Sequence, residues 1–420
     1  MSADAPHTPR PEPLTGSAQS SGGLGALLAN ESFRGIAVAN VLSAIAFGSS
    51  RFVFVWLIGE LTAWNTATAI LGIVIGLPPL LLSAWAGSLA DRIDPRRLGL
   101  SLFVISTALF AGTAAIVQAG AMTVPLAMVC AFVTAIAPSM LMPLLQALVP
   151  SVVEANRLMQ AIAIQNLGMM ASIICGTFLG GAVIEVFGIS AGFWLLAVAS
   201  AVGALRYGTC PLPGRLAGDL VAKRGAIRDG ARIALGSEPL RSLLLLTCVL
   251  GMASTTSQLL LPEFARDVLD QESLAASALN VAMSAGLVIT SMVLAMRWSP
   301  RRPGAVLTVA TCVALGGGLI AMGLSRTYLL VAIFAFLWGI SGGIAMTLMR
   351  TLIQVHTPPE LMGRVMGLSA TAQNGAFPIG AVILAVFVNR TSVATAMVLS
   401  GVLCTLAVWG IAARPHVREL

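Results

Sequence analysis

Arg51 lies inside a long apolar run that begins near Gly35, and its guanidinium is well suited to hold a charged ligand. The group is planar and offers donors in a fixed fork that can engage two oxygens of an anion at once. An arginine near the bilayer centre costs at least ~2.5–3.5 kcal/mol on insertion scales, which disfavours contact with lipid. It needs a water-filled cavity, a partner such as Glu60 about two and a half turns later, or a route for snorkelling to the outer surface. An anionic substrate group in a central cavity would also satisfy it. Amides at Asn40, Gln165, Asn166, Asn280, Gln373 and Asn374 add donors and acceptors within apolar runs. The polar stretch from Ser254 to Gln258 includes Thr255 and covers every face of a helix. Its hydroxyls can line a cavity or bond back to their own helix carbonyls and bend it. Trp56, Trp338, Met169 and Met170 suit a bulky, partly apolar ligand.

These residues need elements to carry them, and composition points to membrane helices. The chain has 420 residues, 57% of them hydrophobic and 10% charged, with a mean hydropathy of +0.92. A spanning helix needs roughly 20 apolar residues at 1.5 Å rise each. Runs of that kind predict twelve spans, at 35–59, 66–89, 98–118, 122–146, 158–184, 189–205, 242–261, 274–296, 304–324, 328–349, 366–388 and 393–413. With a cytoplasmic N-terminus, twenty of the 24 basic residues fall in cytoplasmic segments. Arg266, Arg326 and Arg390 fall outside, and Arg51 lies within a span. That asymmetry predicts both termini inside a bacterial cytoplasmic membrane, and it explains the net +7 as topology rather than affinity for nucleic acid.

The expected organisation is a disordered cytoplasmic tail at 1–31, a six-helix bundle at 32–205, a cytoplasmic linker at 206–241, a second bundle at 242–413 and a short tail at 414–420. Apolar residues at helical spacing between Ala226 and Leu240, interspersed with arginines, suggest an amphipathic surface helix in the linker. The halves echo each other. Gln146, Pro150, Gln165 and Asn166 recur as Gln354, Pro358, Gln373 and Asn374 at an offset of 208 residues. Repetition of this kind predicts two similar bundles with a substrate path at their interface.

The loop after the second span carries Gly87, Asp91, Arg92, Asp94, Arg96 and Arg97. Its pattern of glycine, acid and basic run resembles the signature loop of the major facilitator superfamily, with Asp94 where that family more often has glycine. The resemblance implies an all-α membrane protein of two pseudo-symmetric six-helix bundles. It also implies a conformational latch formed by Gly87, Asp91, Arg92, Arg96 and Arg97. Segments around Pro150, Glu154, Arg157, Glu360 and Arg364 are similar to the branch holding the bacterial enterobactin exporter and macrolide efflux proteins. Gly176, Gly180 and Gly181 resemble the end of an antiporter signature, with Thr177 in place of proline. The same glycines also make an ordinary close-packing face.

The carboxylates Asp91, Glu60, Glu185 and Glu263 all lie at span ends, and no acid is expected inside a span. Glu60 and Asp91 are the candidates for proton coupling. No Ser/His/acid set, Walker loop or GxGxxG is present, so an enzyme, a cofactor and a metal are not expected. The six scattered cysteines read as small apolar residues. The function expected is export of a small amphipathic molecule, siderophore-like or an antibiotic, by proton antiport with alternating access. General multidrug efflux is the alternative, and a membrane lipid-handling protein the alternative of another class. The expected partners are the substrate, protons and the lipid bilayer, with the protein as a monomer.

Overall fold

The computed structural model describes residues 27, 29–62, 65–90, 94–154, 157–211, 236–297, 303–312, 316–357 and 362–412, and these are helical almost throughout. The helices of the first half are α1 (Glu31–Leu61), α2 (Asn65–Ala90), α3 (Pro95–Gln118), α4 (Val124–Val152), α5 (Leu158–Phe187) and α6 (Ile189–Gly208). The second half has α7 (Glu238–Asp267), α8 (Ser273–Arg297), α9 (Pro303–Cys312), α10 (Gly318–Leu324), α11 (Tyr328–Val355), α12 (Met362–Arg390) and α13 (Val393–Ala412). Among the described residues, ten helices are long and apolar enough to cross a membrane. The apolar stretch of α2 is shorter, and α9 and α10 together occupy the ninth expected span. The sequence between Ala226 and Leu240 falls largely outside the described residues.

Helix starts follow local chemistry. Asn30 caps α1 by accepting from the Phe33 N–H at 3.1 Å. Asp94 caps α3 in the same way, accepting from the Arg96 N–H at 2.9 Å, with Pro95 at the first helical position. A capping role accounts for an aspartate at this departure from the family pattern. Between α5 and α6 the chain turns at Gly188, whose φ of 83° is a conformation glycine adopts without Cβ strain.

Helix contacts repeat from one half to the other. In the first half α1 packs on α5 and α6, and α2 on α4; in the second, α7 packs on α12 and α13, and α8 on α11. The halves meet through two equivalent pairs, α2 with α12 and α5 with α8, and through α1 against α7. Lipid is as apolar as leucine, so close fit has to supply the packing energy between such helices. A Cβ at Gly176 would stand 2.8 Å from the Ile45 carbonyl oxygen of α1. A Cβ at Gly180 would make ordinary contact with Ser49. The antiporter-like glycines thus seat α5 on α1, while Gly181 faces Ser273 and Ser277 of α8 in the other half. Large apolar side chains such as Val186, Phe187, Leu205 and Trp409 remain exposed on the outer surface, as a lipid-facing surface requires.

Candidate functional site

A cavity of about 380 Å³ lies between the halves, lined from α1, α2 and α5 on one side and α7, α8, α11 and α12 on the other. Among the described residues, Arg51 is the one charged side chain in its lining. Its Nη1 donates to Gln258 Oε1 at 2.7 Å, a bond from α1 to α7. The guanidinium carbon lies 4.9 Å from the Phe47 ring centroid and 4.8 Å from that of Phe377. Two aromatic faces thus flank the cation. Arg51 Nε is buried without a hydrogen-bond partner, and so is Nε1 of Trp338, another lining residue. Two donors are therefore unspent beside one cavity, an arrangement that calls for acceptors on a ligand or for ordered water.

Helix interruptions add to the site. Pro262 lies inside α7 and Pro378 inside α12. Neither has an N–H, so the carbonyls of Gln258 and Asn374, four residues earlier, cannot receive the regular helical bond. Both residues line the cavity. The hydroxyls of Ser254 and Ser257 bond back to the carbonyls of Leu250 and Ser254, at 2.9 and 3.1 Å, while both residues border the cavity. The two readings of that polar run therefore hold together.

Six of the residues expected to contact a ligand come together here: Arg51, Gln258, Asn280, Trp338, Gln373 and Asn374. Five others lie outside this lining. Asn40 is buried and donates to the Gln165 carbonyl at 3.4 Å, and Gln165 donates to the Leu145 carbonyl at 3.3 Å. Buried amides in apolar packing take the nearest backbone acceptor. Thr255 is buried and bonds to the carbonyls of Gly251 and Phe377, which ties α7 to α12. Asn166 is exposed away from the lining. Trp56 is buried, stacks on Phe52 with centroids 6.0 Å apart, and donates to Glu60 at 3.1 Å. Glu60 is thereby held by Trp56, and Arg51 forms no ion pair with it. Phe47, Phe52 and Phe377 were not among the sequence candidates, because an aromatic at helical spacing reads as ordinary packing.

The latch residues divide. Asp91 and Arg92 lie outside the described residues, and the surroundings of Gly87 are not described. Arg96 donates from Nη2 to the Gly208 carbonyl at 2.6 Å, so its described contact is with the C-terminus of α6 in its own half. Arg97 is exposed beside it.

The halves also touch at the distal end, where α1 finishes and α2 starts. Thr66 of α2 lies 3.5 Å from Asn389 of α12, and Ser273 of α8 donates to the Gly181 carbonyl of α5 at 2.9 Å. Glu185 accepts from the Leu274 N–H at 2.7 Å, so its charge sits at the start of α8. Arg266 lies 6.0 Å from the Trp56 ring and fills the space beside Gly59. Glu263 corrects an expectation. The helix runs on through Pro262 to Asp267, past the predicted span end at 261, so this acid is inside α7 and 3% exposed. A proline fits helical φ and costs a bond without stopping the chain, so α7 continues past Pro262.

A two-fold bundle of membrane helices around an interfacial cavity defines a transporter class. The chain belongs to the Major Facilitator Superfamily, whose family model matches residues 36–381. An uncharacterized MFS-type transporter, y4rN, of Sinorhizobium fredii (strain NBRC 101917 / NGR234) is 25% identical over 382 residues, covering 87% of this chain and 88% of that protein. Among solved structures, the nucleoside transporter NupG superposes with a TM-score of 0.76 at 12% identity, covering 91% of this chain and 99% of that one. The peptide transporter POT in complex with sulfate gives 0.75 at 14% identity, covering 93% and 95%. A bacterial homolog of the human lysosomal transporter Spinster, inward-facing and unoccupied, gives 0.70 at 13%, covering 91% and 95%. At such identities these structures share the fold. The protein is a multi-pass membrane transporter of small molecules and not an enzyme.

Proposed function

We propose that this transporter exports a small amphipathic anion, siderophore-like or an antibiotic, across the bacterial cytoplasmic membrane by proton antiport. The observation that carries this reading is Arg51, a lone cation in an apolar and aromatic cavity with one donor unspent. A cation held this way favours one negative group on the ligand, while Phe47, Phe377, Trp338 and Met170 favour an apolar body. Asn280, Gln373 and Asn374 give further polar contacts for orientation. A cationic multidrug substrate would meet Arg51 with no acid among the described lining residues to offset it. A lipid-handling protein would need catalytic groups at an interface, and the lining offers no such set.

The placement of the basic residues supports cytoplasmic termini, and the distal end then faces outside. In that orientation the contacts between the halves at the distal end lie on the outer side of the cavity. The glycines at 176, 180 and 181 and the likeness to the enterobactin-exporter and macrolide-efflux branch support outward, proton-driven transport. Inside-out vesicles offered anionic, neutral and cationic amphiphiles, with and without a pH gradient, test the reading. Gradient-dependent uptake of anionic members is expected; uptake confined to cationic members would overturn it.

A further inference from the structure

Beyond the cavity, one acid stands at the seam between the halves. Glu263 of α7 is buried, and its Oε1 accepts from the Thr68 hydroxyl of α2 at 3.0 Å, across the distal end. Its Oε2 is buried with no hydrogen-bond partner. Arg266, one turn further on, pairs with Asp267 at 2.7 Å rather than with Glu263. Among the described residues, the other titratable groups at this end are Glu60 on α1, held by Trp56, Glu185 on α5, held by the Leu274 N–H, Arg390 on α12, Asp270 and Glu272 between α7 and α8, Arg326 just before α11 and Tyr328 at its start. Helix α2 brings hydroxyls there and no titratable side chain.

We propose that Glu263 is the acid that governs the distal gate: its neutral form holds the two halves closed against Thr68, and its ionised form favours opening. A neutral carboxyl can be sealed with one hydrogen bond at modest cost. An ionised one with a single donor and an empty second oxygen cannot, because burial of charge is far more costly than burial of a dipole. Opening the gate lets water reach both oxygens. A proton arriving from the distal side would therefore drive closure, the step that returns an emptied exporter to its inward-facing form. The proposal concerns the gate and not the cargo.

The test uses the purified full chain with its six native cysteines replaced and one reporter, Ser277→Cys. Ser277 is fully buried where α8 meets Gly181 of α5. Maleimide labelling is followed from acid to mildly alkaline pH in this background and with Glu263→Gln added. Dividing one rate by the other removes the thiol's own titration. The ratio should be near one in acid and rise several-fold as pH increases, with the Gln variant closed throughout. Glu263→Met, similar in length and unable to ionise, should give the same result and serves if the Gln variant does not purify. Thr68→Val should keep the pH dependence, since the acid remains. A ratio that stays flat across pH would overturn the proposal. No substrate is present, so that failure would leave the anion assignment standing, and loss of anion transport would leave the gate standing.

Discussion

Arg51 of α1 donates to Gln258 of α7 at 2.7 Å, and this one bond joins the two halves beside the cavity. The bond ties one Arg51 donor to the Gln258 carbonyl oxygen, so their energetic effects should be coupled. A double-mutant cycle of Arg51→Ala and Gln258→Ala, read by unfolding in detergent, should give a coupling of ~0.5–3 kcal/mol. The cycle of Arg51→Ala with Glu60→Ala should be additive to within about 0.5 kcal/mol, because Glu60 is bound to Trp56. Strong coupling to Glu60 would contradict the geometry.

The glycine face of α5 makes a sharper distinction. A methyl at Gly176 meets the backbone of Ile45, which cannot yield, whereas one at Gly180 sits 3.4 Å from Ser49 Cβ. Gly176→Ala should cost about 1–3 kcal/mol of stability, with reduced yield of folded protein. Gly180→Ala should be close to neutral. Thermal unfolding of the two purified variants checks the order, and equal losses would contradict this packing.

Cys210, just beyond α6, is buried against Gly35, with its sulfur 3.3 Å from the Ser32 carbonyl oxygen. Burial pushes its thiol up from the ordinary range. The thiolate is the reactive form, so it should be scarce at neutral pH and increase only as pH climbs past the usual thiol range. A charged thiol reagent should leave Cys210 unlabelled in the folded protein and modify it after denaturation. Fast labelling at neutral pH would show that the end of α6 does not dock on α1.

The apolar runs made the helices legible, because span length is a one-dimensional property that the bilayer thickness sets. The two-fold plan was legible for a related reason, since Gln146 and Gln354 repeat at a fixed offset. The site was legible in part. Arg51, Gln258 and Asn280 stood out because a polar group in an apolar helix needs a reason to be there. The repeat misled at Gln165 and Asn166, whose counterparts Gln373 and Asn374 line the cavity while they do not. Similar sequences placed on two helices can rotate differently about their axes, and a small rotation moves an amide from cavity to backbone. The burial of Glu263 was not legible, since an acid just past an apolar run reads as a span end while α7 continues to Asp267.

The central claim is that Arg51 receives the negative group of an amphipathic ligand. Equilibrium binding of a fluorescent anionic amphiphile and its neutral methyl ester to the parent protein, Arg51→Lys and Arg51→Ala tests it most directly. Loss of a charge-assisted hydrogen bond, about 1.5–3 kcal/mol, corresponds to roughly 10- to 100-fold in affinity. The anion should lose that much in Arg51→Ala and less in Arg51→Lys, where the charge stays but the fork is gone. The ester should bind all three proteins alike. Equal anion affinity in the parent and in folded Arg51→Ala would contradict the claim.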